Sequence, residues 1–252
     1  MMKKSKKKLV MFMAIVISAL MLQGCASESK EQVSDTERWI VASYAILTEV
    51  NGWDYTYFPG TAINELNMEA QKQSLEMSWG VTDRASADES LEWVLEEGHR
   101  TGFAEDMQYL EEYGLSEVSE ELRVSVLSTD FGMTIDEAAS YVNAYAIYES
   151  YGAEAIDAWD YCRALNLLSF YYVAGYYEKE EALDKSLEIA KELQAKYSSW
   201  DEMIESYLRG YEYWAEESSD ERRAIYEDLK NSENNPYAVD YHTVLENTWS
   251  VE

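Results

Sequence analysis

Residues 153–174 read AEAIDAWDYCRALNLLSFYYVA, and apolar side chains lie on every face of the helix that this stretch would form. Trp159, Leu165, Leu168 and Tyr171 are spread around the whole circumference. A surface helix has an apolar stripe on one side only, whereas a helix that is apolar all round is normally buried. The stretch therefore predicts a central helix against which the other elements pack.

Amphipathic helices are predicted on both sides of this segment. Apolar residues recur at helical spacing after Thr134, Gly175 and Ser199, with charged residues between them. Ser86, Thr134 and Ser199 are each followed three residues later by glutamate, which is the pattern of a capping box at a helix start. Only two prolines occur, and alternating strand-like runs are scarce. We therefore expect an all-α fold, a compact multi-helix globular domain around a central buried helix.

The region before this domain core has its own pattern. Residues 37–49 predict a first helix that ends at Asn51-Gly52. An aromatic loop is expected over residues 52–61, which contain Tyr55, Tyr57 and Phe58.

The first 24 residues have the composition of a secretory signal peptide. Five lysines between positions 3 and 8 precede an apolar run, Leu9 to Leu22, that is too short to span a membrane comfortably. The ending Leu22-Gln23-Gly24-Cys25 resembles the bacterial lipobox, in which the cysteine thiol is lipidated before cleavage. We interpret residues 1–24 as a lipoprotein signal peptide and residues 25–35 as a flexible tether; an uncleaved anchor helix is the alternative.

Lipidation of Cys25 predicts where the protein resides. The chain would be exported and anchored by its lipid to the outer face of the cell membrane, or it would be periplasmic or in the outer membrane of a diderm organism. Cys25 would then be unavailable to Cys162, the only other cysteine, so we expect no disulfide.

The charge is strongly negative. The chain has 49 acidic and 20 basic residues, and removal of the five signal-peptide lysines leaves 15 basic residues and a formal charge of −34. Such a surface repels nucleic acid and anionic lipid headgroups, so neither class of partner is expected. It favours a cationic protein partner, or it only keeps a tethered protein soluble.

Chemistry-bearing motifs are few. His99, His242 and Cys162 lack the local spacing of metal ligands, and no calcium-binding or glycine-rich phosphate-binding loop is present in the sequence. We therefore predict neither a metal site nor a cofactor.

One polar cluster stands out against the apolar central helix. Asp160 and Arg163 lie one turn apart on one side of it, and we expect them to form an ion pair. His99 and Arg100, at the end of another helix, are expected to join this cluster. A buried charge is unfavourable unless it is paired and hydrogen-bonded. The four residues either form an internal structural cluster or line a cleft, with Asp160 or His99 as acid or base and an arginine holding an anion. No catalytic residue can be assigned.

Several unusual residues occur in a familiar order. Trp79-Gly80-Val81 precedes Gly98-His99-Arg100, then Ala158-Trp159-Asp160, and Tyr197-Ser198-Ser199-Trp200-Asp201 follows later. This series resembles the bacterial DUF1266 family, a domain of unknown function. The resemblance implies a helical domain, which we place over residues 79–231. We interpret residues 36–78 as an N-terminal helical extension added to this domain, and residues 232–252, which contain Asn-Asn-Pro, as an irregular C-terminal segment. The resemblance also marks these residues as the family pattern: Trp79, Gly80, Gly98, Phe103, Trp159, Gly175, Tyr176, Ser199, Trp200, Asp201, Gly210 and Trp214.

Three functions remain open from the sequence. The first is a non-catalytic envelope lipoprotein that binds a protein through an acidic, aromatic-bearing surface, one version being an immunity-type protein that masks a basic toxin. The second is an enzyme of unknown reaction that uses His99, Arg100, Asp160 and Arg163. The third is a glycan-binding module that uses exposed aromatics of residues 52–61. We favour the first, because no catalytic set accompanies the polar cluster.

Overall fold

The computed structural model describes residues 33–249, so the predictions for residues 1–24 and Cys25 lie outside the described part. Every regular element within residues 33–249 is a helix, which confirms the all-α prediction. Two short 3₁₀ turns, Leu115–Glu117 and Pro236–Ala238, accompany the α-helices. These are α1 (Asp35–Ser43), α2 (Ala45–Val50), α3 (Glu65–Trp79), α4 (Arg84–Glu96), α5 (Gly98–Tyr113), α6 (Glu120–Phe131), α7 (Ile135–Tyr151), α8 (Asp157–Val173), α9 (Lys179–Lys196), α10 (Trp200–Ala215) and α11 (Asp220–Asn231).

Helix α8 is the centre of the fold, as the sequence predicted. It packs most extensively against α9 and α10, and also against α3, α4 and α5. Leu165, Leu167 and Leu168 lie on different sides of the helix and are all buried. Because neighbours cover α8 on every side, the apolar circumference of its sequence is needed to fill the core.

Helices α1 and α2 belong to the same core. Trp39 and Ile40 are fully buried, and the indole N–H of Trp39 donates to the carbonyl of Tyr241 at 2.9 Å. The prediction of one helix over residues 37–49 was wrong, because the helix is interrupted at Tyr44, where φ is −121°. Just before the break, the hydroxyl of Ser43 donates back to the carbonyl of Ile40, a contact that competes with regular helix geometry.

The three predicted helix starts have different outcomes. Thr134 forms a complete capping box with Glu137. Ser199 caps α10, but the carboxylate of Glu202 accepts from Ser198 instead of completing the box.

The predicted start at Ser86 was wrong. Helix α4 begins at Arg84, and the carboxylate of Asp83 accepts the backbone N–H of Ser86. The hydroxyl of Ser86 in turn accepts the backbone N–H of Asp83 at 3.0 Å. Asp83 and Ser86 thus form the capping box one turn earlier than expected, and an aspartate is as good a cap as serine.

Helices α5, α6 and α7 enclose a second apolar cluster. We call residues 101–151 the α5–α7 lobe, which leaves out the first three residues of α5, Gly98-His99-Arg100. Phe103, Met107, Leu110 and Leu127 are fully buried in it. Arg123 is the only basic residue of the lobe, and both of its terminal nitrogens bind the carboxylate of Glu149.

The aromatic loop of residues 52–61 packs on the C-terminal half of α8. Trp53 makes an edge contact with Phe170 at 5.1 Å between ring centroids, and Phe58 stacks on Tyr172 at 5.8 Å. Residues 232–249 are irregular apart from one 3₁₀ turn. None of the helices in residues 33–249 is long and apolar enough to cross a membrane.

Candidate functional site

The carboxylate of Asp160 caps the N-terminus of helix α5. Asp160 is fully buried on α8, and its Oδ2 accepts the backbone N–H of His99 at 2.8 Å and that of Arg100 at 2.9 Å. The first N–H groups of a helix have no partner within the helix, and the N-terminus carries partial positive charge. Asp160 therefore supplies from another helix the cap that Glu97, at the N-cap position of α5, does not provide.

Gly98 makes this approach possible. Its φ is +60°, a backbone conformation that residues other than glycine rarely adopt. A Cβ at this position would lie 2.6 Å from Cγ of Asp160 and 2.9 Å from Nη1 of Arg100. The glycine is thus required both by the backbone conformation and by the space that the carboxylate occupies.

Arg100 joins the end of α4 to the start of α5. Its guanidinium donates to the carbonyls of Val94, at 2.7 Å, and Leu95. The same group lies 3.5 Å from Oδ2 of Asp160. Carbonyls in the last turn of a helix lack intrahelical donors, so one arginine neutralises the C-terminus of α4 and the buried carboxylate together.

His99 is oriented by Asp160 and by an aromatic ring. Its Nδ1 lies 3.0 Å from Oδ1 of Asp160, which favours the tautomer that carries the proton on Nδ1. The imidazole also meets the ring of Trp93 edge-on at 5.3 Å. Only 22% of the His99 side chain is exposed.

The predicted pairing of Arg163 with Asp160 was wrong, because the carboxylate is instead bound by the start of α5 and by Arg100. The guanidinium of Arg163 lies among three tryptophan rings, 4.4 Å from the centroid of Trp79, 4.9 Å from that of Trp159 and 5.4 Å from that of Trp214. Cation–π attraction takes the place of a direct ion pair, while the charge of Asp160 still favours the charged guanidinium through space. Burial lowers the pKa of Arg163 to about 10, so the guanidinium remains charged at neutral pH. Its Nη1 lies 3.2 Å from Nδ1 of His99, so the guanidinium contacts the cluster that the other three residues form, but it does not donate to this nitrogen while Nδ1 carries the proton shared with Asp160.

The structure thus brings His99, Arg100, Asp160 and Arg163 together, but as a junction between helices. The carboxylate of Asp160 is enclosed and its oxygens are engaged by α5. Neither of the two cavities described contains any of the four residues. Acid–base chemistry needs a substrate within hydrogen-bond reach, and the arrangement leaves no such place at Asp160. No group of three or more metal-ligating side chains occurs within residues 33–249.

The remaining family-pattern residues serve helix ends and close contacts. Gly210 lets α10 approach α8, because a Cβ there would lie 2.8 Å from Cγ of Trp159. The indole of Trp200 donates to the carbonyl of Val239, and Asp201 accepts from Tyr226. Gly80 ends α3 in the left-handed conformation, and Gly175 adopts the same conformation just after α8, next to Tyr176. Phe103 is fully buried in the second apolar cluster, and Ser199 caps α10.

A second site was overlooked by the sequence analysis. A cavity of about 420 Å³ opens where α7 ends, α8 begins, α9 ends and α10 begins. Asp157, one turn before Asp160 on α8, lines this cavity and pairs with Lys196 at 2.8 Å. Arg209 of α10 also lines it. These residues come from separate elements and have no local motif, so spacing along the chain could not reveal them.

The comparisons with known proteins agree with the resemblance seen in the sequence. The model of a family described as "Protein of unknown function (DUF1266)" matches residues 74–241. The match begins five residues before Trp79 and extends beyond α11. No curated protein and no solved structure matches the chain significantly.

Proposed function

This chain belongs to the DUF1266 family of proteins of unknown function, and we propose that it is a non-catalytic, lipid-anchored envelope protein that binds a basic protein partner through its α5–α7 lobe. The observation that carries the proposal is the one-signed charge of the lobe. Outside the lobe, residues 33–249 contain 35 acidic and 13 basic residues. The lobe has only Arg123 against eleven acidic residues: Glu105, Asp106, Glu111, Glu112, Glu117, Glu120, Glu121, Asp130, Asp136, Glu137 and Glu149.

The surface of the lobe exposes no competing cation. Only 7% of the Arg123 side chain is exposed, and its charge is neutralised by Glu149. A surface of one sign attracts an oppositely charged partner over several ångströms and raises the association rate. A basic partner would therefore be steered to this lobe in preference to the rest of the domain, where lysines and arginines interrupt the acidic surface.

Aromatic and aliphatic side chains lie exposed within the same acidic surface. Tyr109 and Tyr113 are 40% and 44% exposed, and both pack their rings on Phe131. Leu122 and Ile135 are 57% and 61% exposed. Protein interfaces are enriched in such aromatic side chains, which give apolar contact area together with a hydrogen-bonding edge. The lobe thus offers contact area as well as steering.

The two other functions considered from the sequence have less support. The enzyme hypothesis relied on the four-residue cluster, whose carboxylate is enclosed and bound to the start of α5. The glycan hypothesis relied on exposed coplanar rings in residues 52–61, but Trp53 and Phe58 pack against α8. An immunity-type role, in which the lobe masks a basic toxin, is one version of the protein-binding proposal; a toxin gene beside this one would support it.

Matched charge-reversal variants test the proposal. We would cross-link the lipidated chain in its native envelope and compare the captured proteins from wild type, Glu117→Lys with Glu121→Lys in the lobe, and Glu188→Lys with Glu192→Lys on α9. All four glutamates are exposed, and both variants change the net charge equally. We expect the lobe variant alone to lose a basic partner. Equal loss in both variants, or retention in both, would reject the lobe as the binding surface.

A further inference from the structure

The cavity near Asp157 has the size of a small-molecule site and lies at the edge of the α5–α7 lobe, which contributes only Tyr151 to its lining. Its volume of about 420 Å³ is within the range of ligand pockets. Acidic side chains, basic side chains and two tyrosines line it. The lining includes Tyr151, Glu154, Asp157, Glu202, Glu205 and Arg209.

The guanidinium of Arg209 is fixed in this cavity. Its Nε donates to the carbonyl of Ala155 at 3.0 Å, and its central carbon lies 4.1 Å from the ring centroid of Tyr151. The side chain is half-buried, and burial lowers the pKa of Arg209 from its ordinary value. The plane of the guanidinium is therefore held in place before any ligand arrives.

The anions nearest to Arg209 have other partners. Glu205 lies one turn before Arg209 on α10, the spacing at which an ion pair is expected. Its carboxylate instead binds both terminal nitrogens of Arg223. Asp157 pairs with Lys196. Within residues 33–249, Arg209 donates a hydrogen bond only through Nε, and its two terminal nitrogens have no hydrogen-bonded or ion-paired partner.

No carboxylate of residues 33–249 is hydrogen-bonded to Arg209, although the charges of Glu205 and Glu212 act on it through space. The free pair of N–H donors in a planar fork matches a carboxylate, which accepts two parallel hydrogen bonds. The cavity also contains the carboxylates of Glu154 and Glu202, which repel a dianion such as phosphate and attract an ammonium group. We propose that this cavity binds a small zwitterionic carboxylate, a free amino acid or short peptide, with its carboxylate on Arg209 and its ammonium group toward Glu154 and Glu202.

Calorimetric titration of the full chain in detergent micelles tests the proposal. The probes are the dipeptide alanylalanine, acetate, ethylamine and inorganic phosphate. We expect alanylalanine to bind more tightly than acetate or ethylamine, and phosphate to bind least. Arg209→Gln should weaken alanylalanine binding at least about tenfold, because a charged, bidentate contact is lost. The control is Arg38→Gln, which removes an exposed arginine of α1 and should leave binding unchanged.

Two further variants keep the test decisive where Arg209→Gln does not fold. Arg209→Lys keeps the charge but not the fork, and it should also weaken alanylalanine binding. Arg223→Gln releases Glu205, which can then pair with Arg209 and compete with the ligand, so binding should fall although Arg223 does not line the cavity. The proposal is overturned where folded wild type gives no heat with alanylalanine, where phosphate binds more tightly than the dipeptide, or where the folded variants bind as wild type does.

Discussion

Gly98 and Asp160 lie so close that a single methyl group on the glycine would overlap the aspartate carboxylate. The two residues are distant in sequence, yet the backbone N–H groups that follow Gly98 are the ligands of the Asp160 carboxylate. The Gly-His-Arg and Ala-Trp-Asp segments of the family pattern are therefore two halves of one helix junction. The carboxylate of Asp160 leaves room only for a glycine at position 98, and the first N–H groups of α5 need that carboxylate as their acceptor.

Gly98→Ala should destabilise the protein well beyond the usual effect of replacing a left-handed glycine. We compare it with Gly80→Ala, where φ is +68° but no atom lies within 4 Å of the added Cβ. The Gly80 variant should lose about 1 kcal/mol of unfolding free energy from backbone strain alone. The Gly98 variant should lose about 2–4 kcal/mol, because the methyl group also displaces Asp160. Urea unfolding followed by circular dichroism measures both, and equal losses would contradict the close contact.

Asp160→Asn should lower the unfolding free energy by about 3 kcal/mol, since a buried, hydrogen-bonded charge is lost and Arg100 keeps its own charge. The amide still fills the space, so the effect reports the charge and the lost acceptor oxygen. Asp228→Asn on the exposed side of α11 is the control and should change stability by less than about 0.5 kcal/mol. A stable Asp160→Asn variant that had lost its cellular phenotype would reverse our view and make the cluster functional.

Two glycines in helices should respond with opposite signs. Gly210→Ala places a Cβ against the Trp159 side chain, and α10 would have to move away from α8; we expect a loss of about 2–3 kcal/mol. Gly102 is also helical, but its nearest neighbour to an added Cβ is the hydroxyl of Tyr213 at 3.6 Å. Gly102→Ala should therefore raise the unfolding free energy by up to about 1 kcal/mol, and the melting temperature should rise with it. A destabilised Gly102 variant would mean that α5 needs the glycine for another reason.

Periodicity predicted the fold well because the core imposes it. The apolar circumference of residues 153–174 can only be satisfied by neighbours on all sides, and α8 has them. The pairing within the polar cluster was beyond such reasoning. A spacing of three residues places Asp160 and Arg163 on one side of a helix, but it does not say that the best partner of Asp160 is a pair of backbone N–H groups.

The usable signal was the glycine in front of His99-Arg100. A glycine at the start of a polar segment is consistent with a close approach of another chain segment, and here that segment carries Asp160. Nothing comparable marks the cavity of Arg209. Its lining residues are spread from Tyr151 to Arg209, and the pairing of Glu205 with Arg223 leaves Arg209 without a directly bound carboxylate. Sequence spacing predicts the opposite pairing.

The proposed lipid anchor predicts a simple biochemical difference. Wild-type chain expressed in its native host should incorporate labelled fatty acid and remain with the membrane fraction after a high-salt wash, since burial of acyl chains does not depend on ionic strength. Cys25→Ser should lose the label and the membrane association together. Cys162→Ser is the matched control, because Cys162 is fully buried on α8 and should have no part in lipidation. Labelled Cys25→Ser protein would disprove lipidation at the predicted cysteine.

Asp201 should contribute a pH-dependent part of the stability. Hydrogen bonds from the hydroxyl of Tyr226 and the ammonium of Lys230 lower the pKa of Asp201 below its ordinary value of 3.8. An acid whose folded pKa is lowered stabilises the protein above its unfolded pKa, and this contribution disappears as the pH falls through the folded value. Asp201→Asn should therefore lower the melting temperature at neutral pH, and the difference from wild type should vanish well below pH ~4. Asp228→Asn, on the same helix as Tyr226, is the control and should have the melting temperature of wild type at every pH. If Asp201→Asn lowered the melting temperature equally at every pH, the cause would be lost packing and not the loss of an ionised contact.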